Sequence, residues 1–371
     1  MTQSFPQEDA VRGGGPRPGA APRLPARRRF GADAAMKLAA KSSAVLILVM
    51  LAALVAVLAK SAVPSFSTFG AKFLVSTEWR PNELERPVRN PDGSIKTDAD
   101  GENVTETVPP EFGAAPVIYG TLVSSAIALL IAVPLSFGAA LVLVRLAPRL
   151  RVAAPVSFLI EFLAAIPSIA YGIWGLFVFA PFLQQHAEPF LGSLPGLRWL
   201  THETVKNGAQ EVTRAIPFTG HDMLCGGVIL GIMIVPIVTS ISRDVLSAVP
   251  RVQIEGSLAL GATWWRSCVD MLHYGRAGLF GAVMLGFARA AGETMAVAMV
   301  IGNNNQISLS PFAPAQTMSS LLANEFAEAS SDLHRAALLE VALVLLVMSL
   351  AFNVVARRLV VGGGSRTSAA H

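Results

Sequence analysis

Apolar residues gather into six runs of about 18 to 28 residues, separated by polar segments, instead of alternating with polar ones. The runs lie near Ser43 to Val63, Val117 to Val144, Pro155 to Pro181, Met223 to Ile241, Ala277 to Ile301 and Ala336 to Ala356. With a helical rise of about 1.5 Å per residue, such runs match a hydrocarbon layer of about 30 Å. Pro134, Pro167 and Pro236 interrupt them. Proline breaks soluble helices, but in a membrane bundle neighbouring helices satisfy the freed carbonyls. The pattern predicts an all-α, polytopic membrane protein with six transmembrane helices.

Composition agrees: of 371 residues, 53% are hydrophobic and 15% charged, well outside the range of soluble domains. Cys225 falls in an apolar run and Cys268 in a polar segment, so a disulfide framework is not expected. The six histidines have no metal-ligand spacing, and no cofactor is expected. No GxxxxGK[ST] phosphate loop occurs, so the chain is not expected to be an enzyme that hydrolyses nucleotide.

Charge sets the expected orientation. The N-terminal segment, the 145–151 turn, the 243–276 segment and the tail hold eighteen Lys and Arg, against ten on the opposite face when Lys60, at the outer end of the first run, is included. Basic loops stay inside, so both termini are expected in the cytoplasm of a bacterial plasma membrane. Sixteen acidic residues fall in the outer loops and six in the cytoplasmic parts, a sign that repels anions from bulk solution.

Residues 1–42 form a basic arm, and the first 35, rich in Pro, Gly, Ala and Arg, lack periodicity and predict disorder. The arm reads as a topology signal rather than a nucleic-acid binder. Run 43–63 follows as the first transmembrane helix, since the flank is too long for a typical signal peptide. Residues 64–116 form an outer loop whose Asn-Pro-Asp-Gly turn, with "SIKT" and "NVTETV", suggests a hairpin. The core, 117–356, holds five helices, and 357–371 is a cytoplasmic tail. A second outer loop, Leu183 to Asp222, is uninformative. The last outer segment has a helical pattern from Met318 to Ala329 that is expected to cap the bundle.

Arg289 and Glu293 interrupt the fifth run. Placing each charge there costs roughly 2.5 to 3.5 kcal/mol on insertion scales before any pairing. The i, i+4 spacing puts both on one helical face, where each compensates the other. Arginine suits a tetrahedral oxyanion, because its planar fork donates parallel hydrogen bonds and keeps its charge when desolvated. Glutamate beside it would hold the fork and weaken the complex enough for release. The competing reading is an ion pair that only joins helices. Glu161, six residues into the third run, is a further translocation candidate or a side chain that snorkels to the membrane edge. Pro167 with Tyr171 and Gly172 marks a gating bend or a tolerated kink. Thr121, Ser124, Ser168, Thr294 and Asn303 line a path or serve helix packing.

The 243–276 segment is the only large cytoplasmic loop. Val252 to Trp265 puts Ile254, Leu258 and Trp265 near one helical face and turns at Gly261, which fits a protein-docking element or a helix lying on lipid. Within it, "EGSLALGA" resembles the EAA loop of ABC-importer permeases, with Glu255 and Gly261 on its two most diagnostic positions. "EFLAAIPSIAYGIWGLF", "GVILGIMIVPIV", "GFARAAGETMAVAMVIGN" and "FAPAQTMSSLLANEFAEA" extend the likeness to the phosphate-import permeases over most of residues 64 to 356.

The resemblance implies a MetI-like permease fold that carries inorganic phosphate inward by alternating access, with Arg289 and Glu293 implicated in passage. It also implies coupling of Glu255, Leu258, Gly261, Ala262 and Trp265 to an ATPase dimer, a second permease subunit and an extracytoplasmic phosphate-binding protein. One departure is that "MLHYGRAG" carries His273 where the family has the proline of a Leu-Pro pair. The alternatives are a permease for molybdate or sulfate, the companion phosphate permease, a proton-coupled secondary transporter and an anion channel.

Overall fold

The computed structural model describes residues 30–88, 105–146, 153–194, 200–207 and 210–364. The chain divides into two compact units, Met1–Leu54 and Val55–His371. All of the first unit's described part is a single stretch of helix α1 (Phe30–Phe69), whose side chains from Ala34 to Leu54 are all exposed. An apolar helix exposed all round fits lipid. Residues 30–42, expected to belong to the basic arm, are helical, because Ala, Met, Lys and Leu there are strong helix formers. The rest of the arm lies outside the described residues.

In the second unit, β1 (Leu84–Pro87) pairs antiparallel with β2 (Thr105–Val108), with Leu84 opposite Val108. The hairpin therefore uses "LERP" as its first strand. The Asn-Pro-Asp-Gly turn and "SIKT" lie outside the described residues. Another hairpin, β3 (His202–Asn207) with β4 (Gln210–Ala215), occupies the 183–222 segment that the sequence left blank.

Helix α2 (Ala115–Leu141, running on through a π-helical turn to Leu146) packs along α5 (Met223–Ser247). Small residues make the approach close. A Cβ on Gly227 would lie 2.6 Å from Ile127 Cγ2, and one on Gly231 would lie 3.3 Å from the Ala128 carbonyl oxygen. Membrane helices gain packing this way, since lipid tails are as apolar as leucine. Pro236 sits inside α5, and Ser136 Oγ of α2 donates to the carbonyl just before it, at 3.1 Å.

Helix α3 (Ala153–Ala165) is followed by α4 (Ser168–Trp174), which continues through α- and π-helical turns to Ser193. Between them, at Ile166 and Pro167, the chain bends by 88°. Beyond α5 come α6 (Arg251–Ala259), α7 (Trp264–Tyr274), α8 (Arg276–Ala291), α9 (Met295–Val300), α10 (Met318–Glu325) and α11 (Asp332–Gly364).

Among the described residues, four helical stretches are long and apolar enough to cross a membrane: Ala34–Phe69, Ala115–Leu146, Met223–Ser247 and Asp332–Arg358. The bent pair makes a fifth when it is taken as one span. The fifth apolar run differs from expectation. Instead of one helix it forms α8 and α9, of 16 and 6 residues, with a break at 292–294.

The final outer segment does more than cap the bundle. Its helix stops at Glu325, and Met318, Ser319, Ser320 and Leu321 are buried against α2, α9 and α11. Gly120 of α2 makes room: a Cβ there would sit 2.2 Å from the Gln316 carbonyl oxygen. Thr317 caps α10 through the Ser320 amide while Ser320 Oγ accepts from the Thr317 amide, a reciprocal pair that fixes the turn into the core. Cys268, expected outside, is buried in α7 among Leu246, Met271 and Leu279.

Candidate functional site

The break between α8 and α9 brings Arg289 and Glu293 together. Helix α8 ends at Ala291, Gly292 follows, and the Glu293 amide donates to the Ala290 carbonyl at 3.2 Å before α9 begins. Arg289 therefore stands in the last turn of one helix and Glu293 just ahead of the first turn of the next. A cation at a helix C-terminus and an anion at an N-terminus each gain about 0.3 to 1 kcal/mol from the helix dipoles. Arg289 Nη1 meets Glu293 Oε2 at 2.5 Å, and Glu293 Oε1 accepts from the Ala296 amide at 3.4 Å. The expectation that the pair shares one continuous helical face is corrected: the two side chains meet across a break.

Exposure divides the pair. The Glu293 side chain is 3% exposed and that of Arg289 is 43% exposed. The carboxylate is thus the fixed member, and the guanidinium keeps donors free for another acceptor.

No local pattern marks the residue that holds the break. Ser319 Oγ of α10 donates to the Glu293 carbonyl at 2.7 Å and lies 3.3 Å from the Ala291 carbonyl. The other end of α10 is also anchored. Trp79 Nε1 donates to Glu325 Oε2 at 2.8 Å, and His334 Nε2 approaches the same oxygen at 3.1 Å while its ring stacks on Phe112. One short helix so links the segment after α1 to the carbonyls of the break.

Gly172, beyond the bend at Pro167, reaches the same neighbourhood. The Tyr171 hydroxyl donates to the Leu163 carbonyl at 2.9 Å and satisfies a group exposed by the bend. A Cβ on Gly172 would lie 2.8 Å from Met299 Sδ and 3.0 Å from Ala296 Cα, so α4 rests directly on α9. Glu161 is exposed on α3, before the bend, and among the described residues no hydrogen bond or ion pair ties it to Arg289 or Glu293.

The small polar candidates are mostly occupied with the backbone. Thr121 Oγ1 donates to the Val117 carbonyl and accepts from the Met318 amide, Ser124 Oγ donates to the Gly120 carbonyl, and Asn303 Nδ2 donates to the Ala298 carbonyl. Three further acids are buried: Glu340, Glu188 and Asp222. Glu340, beside Ser65, is a lone acid within the last apolar run, the same signal that marked Glu293. Glu188 lies next to Asp222, the N-cap of α5, whose Oδ1 accepts from the Cys225 amide at 2.7 Å. Burial, with Glu188 alongside, pushes the Asp222 carboxyl up to about 8.

The docking element differs in one respect from its expected form. Ile254 and Leu258 lie on α6, but Trp265 lies on α7, so a helical hairpin carries the surface instead of one helix. Gly261 makes the turn with φ of +85°, a conformation that costs glycine little. Ser257 Oγ donates to Asp270 Oδ2 at 2.7 Å and clips α6 to α7, while Ile254 packs inward beside Leu246 and Met271. Outside, Glu255, Leu258 and Trp264 are exposed, with Leu260 at 92% and Trp265 at 66%; Ala262 is half-buried. His273 is exposed in the last turn of α7, and the approach to α8 is made by Gly275, where a Cβ would lie 3.1 Å from Val245 Cγ1.

Residues 132–361 match the family described as "Binding-protein-dependent transport system inner membrane component". The chain is 40% identical over 348 residues to the phosphate transport system permease protein PstC of Mesorhizobium japonicum, covering 92% of this chain and 94% of that protein. It is 39% identical over 322 residues to PstC of Haemophilus influenzae, covering 85% and 89%. With PstC 1 of Mycobacterium tuberculosis the identity is 37% over 297 residues, covering 78% and 82%. These near full-length likenesses, together with a family match over more than half of the residues, establish that the chain belongs to the binding-protein-dependent transport system inner membrane components, in their PstC group.

Proposed function

We propose that this chain is the transmembrane permease subunit of an ATP-driven importer that moves inorganic phosphate inward by alternating access. The observation that carries the reading is the unequal exposure of the ion pair, with Glu293 buried at 3% and Arg289 open at 43%. A buried carboxylate orients the guanidinium, and the exposed donors then meet a tetrahedral oxyanion in a site of low dielectric. Because Glu293 competes for the same nitrogens, the anion is released instead of being trapped.

Helices α8 and α9 together make a sixth crossing, broken at the pair. Half-helix ends near the bilayer midplane are well suited to holding ions. Both termini are cytoplasmic, in a bacterial plasma membrane. Phosphate arrives from an extracytoplasmic binding protein, which removes the need for attraction by an acidic outer surface. The α6–α7 hairpin offers Leu258, Leu260 and Trp265 to an ATPase dimer, and a second permease subunit completes the path. Nucleotide is hydrolysed on the separate ATPase.

The test is uptake by the reconstituted four-component complex. Arg289→Ala is expected to abolish phosphate uptake while the complex still assembles, and wild-type uptake by that variant sinks the anion role. Competition by arsenate, with none by sulfate or molybdate, is the expected selectivity.

A further inference from the structure

A cavity of about 570 Å³ lies between the end of α2, the end of α5 and the start of α6. Three arginines line it, Arg145, Arg243 and Arg251, together with Ser157 and Glu255. Arginines that only fix topology project into water. Two of these are held inward by neutral hydroxyls: Arg145 Nη2 donates to Ser267 Oγ at 2.8 Å, and Arg243 Nη1 to Ser157 Oγ at 3.3 Å. Arg145 Nε is buried with no hydrogen-bond partner among the described residues. A buried donor on a charged group that is left unpaired is costly, so such groups are nearly always satisfied. One carboxylate pairs in part: Asp244, 70% exposed in its side chain, accepts from both Nε and Nη2 of Arg243 at 3.3 Å, while Glu255 is exposed and Arg145 and Arg251 have no carboxylate partner among the described residues.

We propose that this cavity is a second oxyanion site, for a phosphoryl group, set against the coupling helix α6. It rests on the importer reading only for its side of the membrane, the cytoplasmic one. Arg145 holds the anion, the fork of Arg243 turns to it from the exposed Asp244, and Arg251 closes over it from α6. The volume exceeds that of a bare phosphate and admits a phosphodiester with its glycerol. Two sources share this chemistry: free cytoplasmic phosphate, the product of transport, and the headgroup of an anionic phospholipid, for which basic pockets between membrane helices are a known receptor type. Either occupant braces α6, which carries Glu255 and Leu258, against α2 and α5.

The test uses the membrane-embedded permease and ATPase complex in nanodiscs, without the binding protein and with Arg289→Ala in the background, so that neither the binding protein nor the translocation pair contributes. Thermal stability is followed in neutral phosphatidylcholine discs titrated with inorganic phosphate, using chloride at matched ionic strength as control. A parallel series replaces part of the lipid with phosphatidylglycerol. A rise in melting temperature in the phosphate series alone assigns the site to free phosphate, and a rise in the lipid series alone assigns it to the headgroup. In either case R145Q/R243Q is expected to raise the half-maximal concentration by about tenfold or more, as loss of charge-assisted hydrogen bonds implies. R251Q, on an exposed residue, is expected to weaken the response by itself, and it keeps the test decisive if the double variant does not assemble. No rise in either series overturns the proposal, as does an undiminished rise in the variants. Neither result touches the importer reading, which the Arg289→Ala uptake experiment tests separately.

Discussion

The hydroxyl of Ser319 donates to the main-chain carbonyl of Glu293 at 2.7 Å, across 26 residues of sequence. The carbonyl belongs to the break between α8 and α9, where no following helical amide reaches it. Helix α10 thereby supplies the hydrogen bond that a continuous helix would have supplied for itself. Its far end is fixed through Glu325 to Trp79 and His334, so a shift in the segment after α1 has a mechanical route to the ion pair.

Ser319→Ala removes that bond and leaves a buried carbonyl unsatisfied, a loss of about 1 to 3 kcal/mol. Assembly is expected to persist while the maximal uptake rate falls by about tenfold, with Ser319→Thr restoring part of it. Rate and half-saturation measured in proteoliposomes separate the cases. An unchanged maximal rate in the alanine variant would show that the break stands without α10.

Gly172 is where the bent helix touches α9. Gly172→Ala puts a Cβ at 2.8 Å from Met299 Sδ, which can move, and at 3.0 Å from Ala296 Cα, which belongs to the backbone. Overpacking of this kind costs about 1 to 3 kcal/mol. The expected result is a lower melting temperature with reduced uptake, worsened in Gly172→Val and only partly relieved by adding Met299→Ala. Full recovery in the double variant would mean that only the methionine, and not the backbone of α9, sets the spacing.

The exposed hairpin tip predicts a different defect. Leu258→Glu and Trp265→Ala change surface residues, so the subunit is expected to fold with an unaltered melting temperature. ATP hydrolysis by the reconstituted complex is expected to lose its stimulation by loaded binding protein, and uptake is expected to fall with it. Normal stimulation in both variants would remove the docking role.

Asp222 gives a pH dependence whose sign follows from its raised pKa. Between its ordinary value of 3.8 and about 8, the folded chain holds a proton there that the unfolded chain releases. The stabilisation is therefore complete below pH 3.8, declines as pH rises, and is gone above about 8. Asp222→Asn stays neutral and remains a good N-cap for the Cys225 amide. The difference in melting temperature between pH 5 and pH 8.5 is expected to shrink in the variant, measured in detergent against wild type. Equal slopes would show that the carboxyl is ionised in the fold.

Much of the architecture was legible because lipid imposes a one-dimensional rule. A long apolar run marks a crossing wherever its neighbours lie, and four of the six runs are continuous spans in the fold. The charged pair stood out for the same reason, since each ion is expensive in that setting. The break between them was not legible. Gly292 and Thr294 occur inside many helices, and only the competing acceptor at Ser319 and the packing against α4 make a stop there favourable. Nor could spacing separate Trp265 from the helix of Leu258, because a helical hairpin and a single helix both place them on one side.

By itself the sequence determined the membrane class, the apolar runs and the presence of a costly ion pair at 289 and 293, because each depends on transfer from water and so on residue type alone. Only the tertiary structure decided that the pair straddles a helix break, that Glu293 is enclosed while Arg289 stays open, and that α10 enters the core to hold them. Those outcomes depend on which distant groups arrive as hydrogen-bond partners and which glycines let backbones touch, and neither is a property of any local stretch of chain.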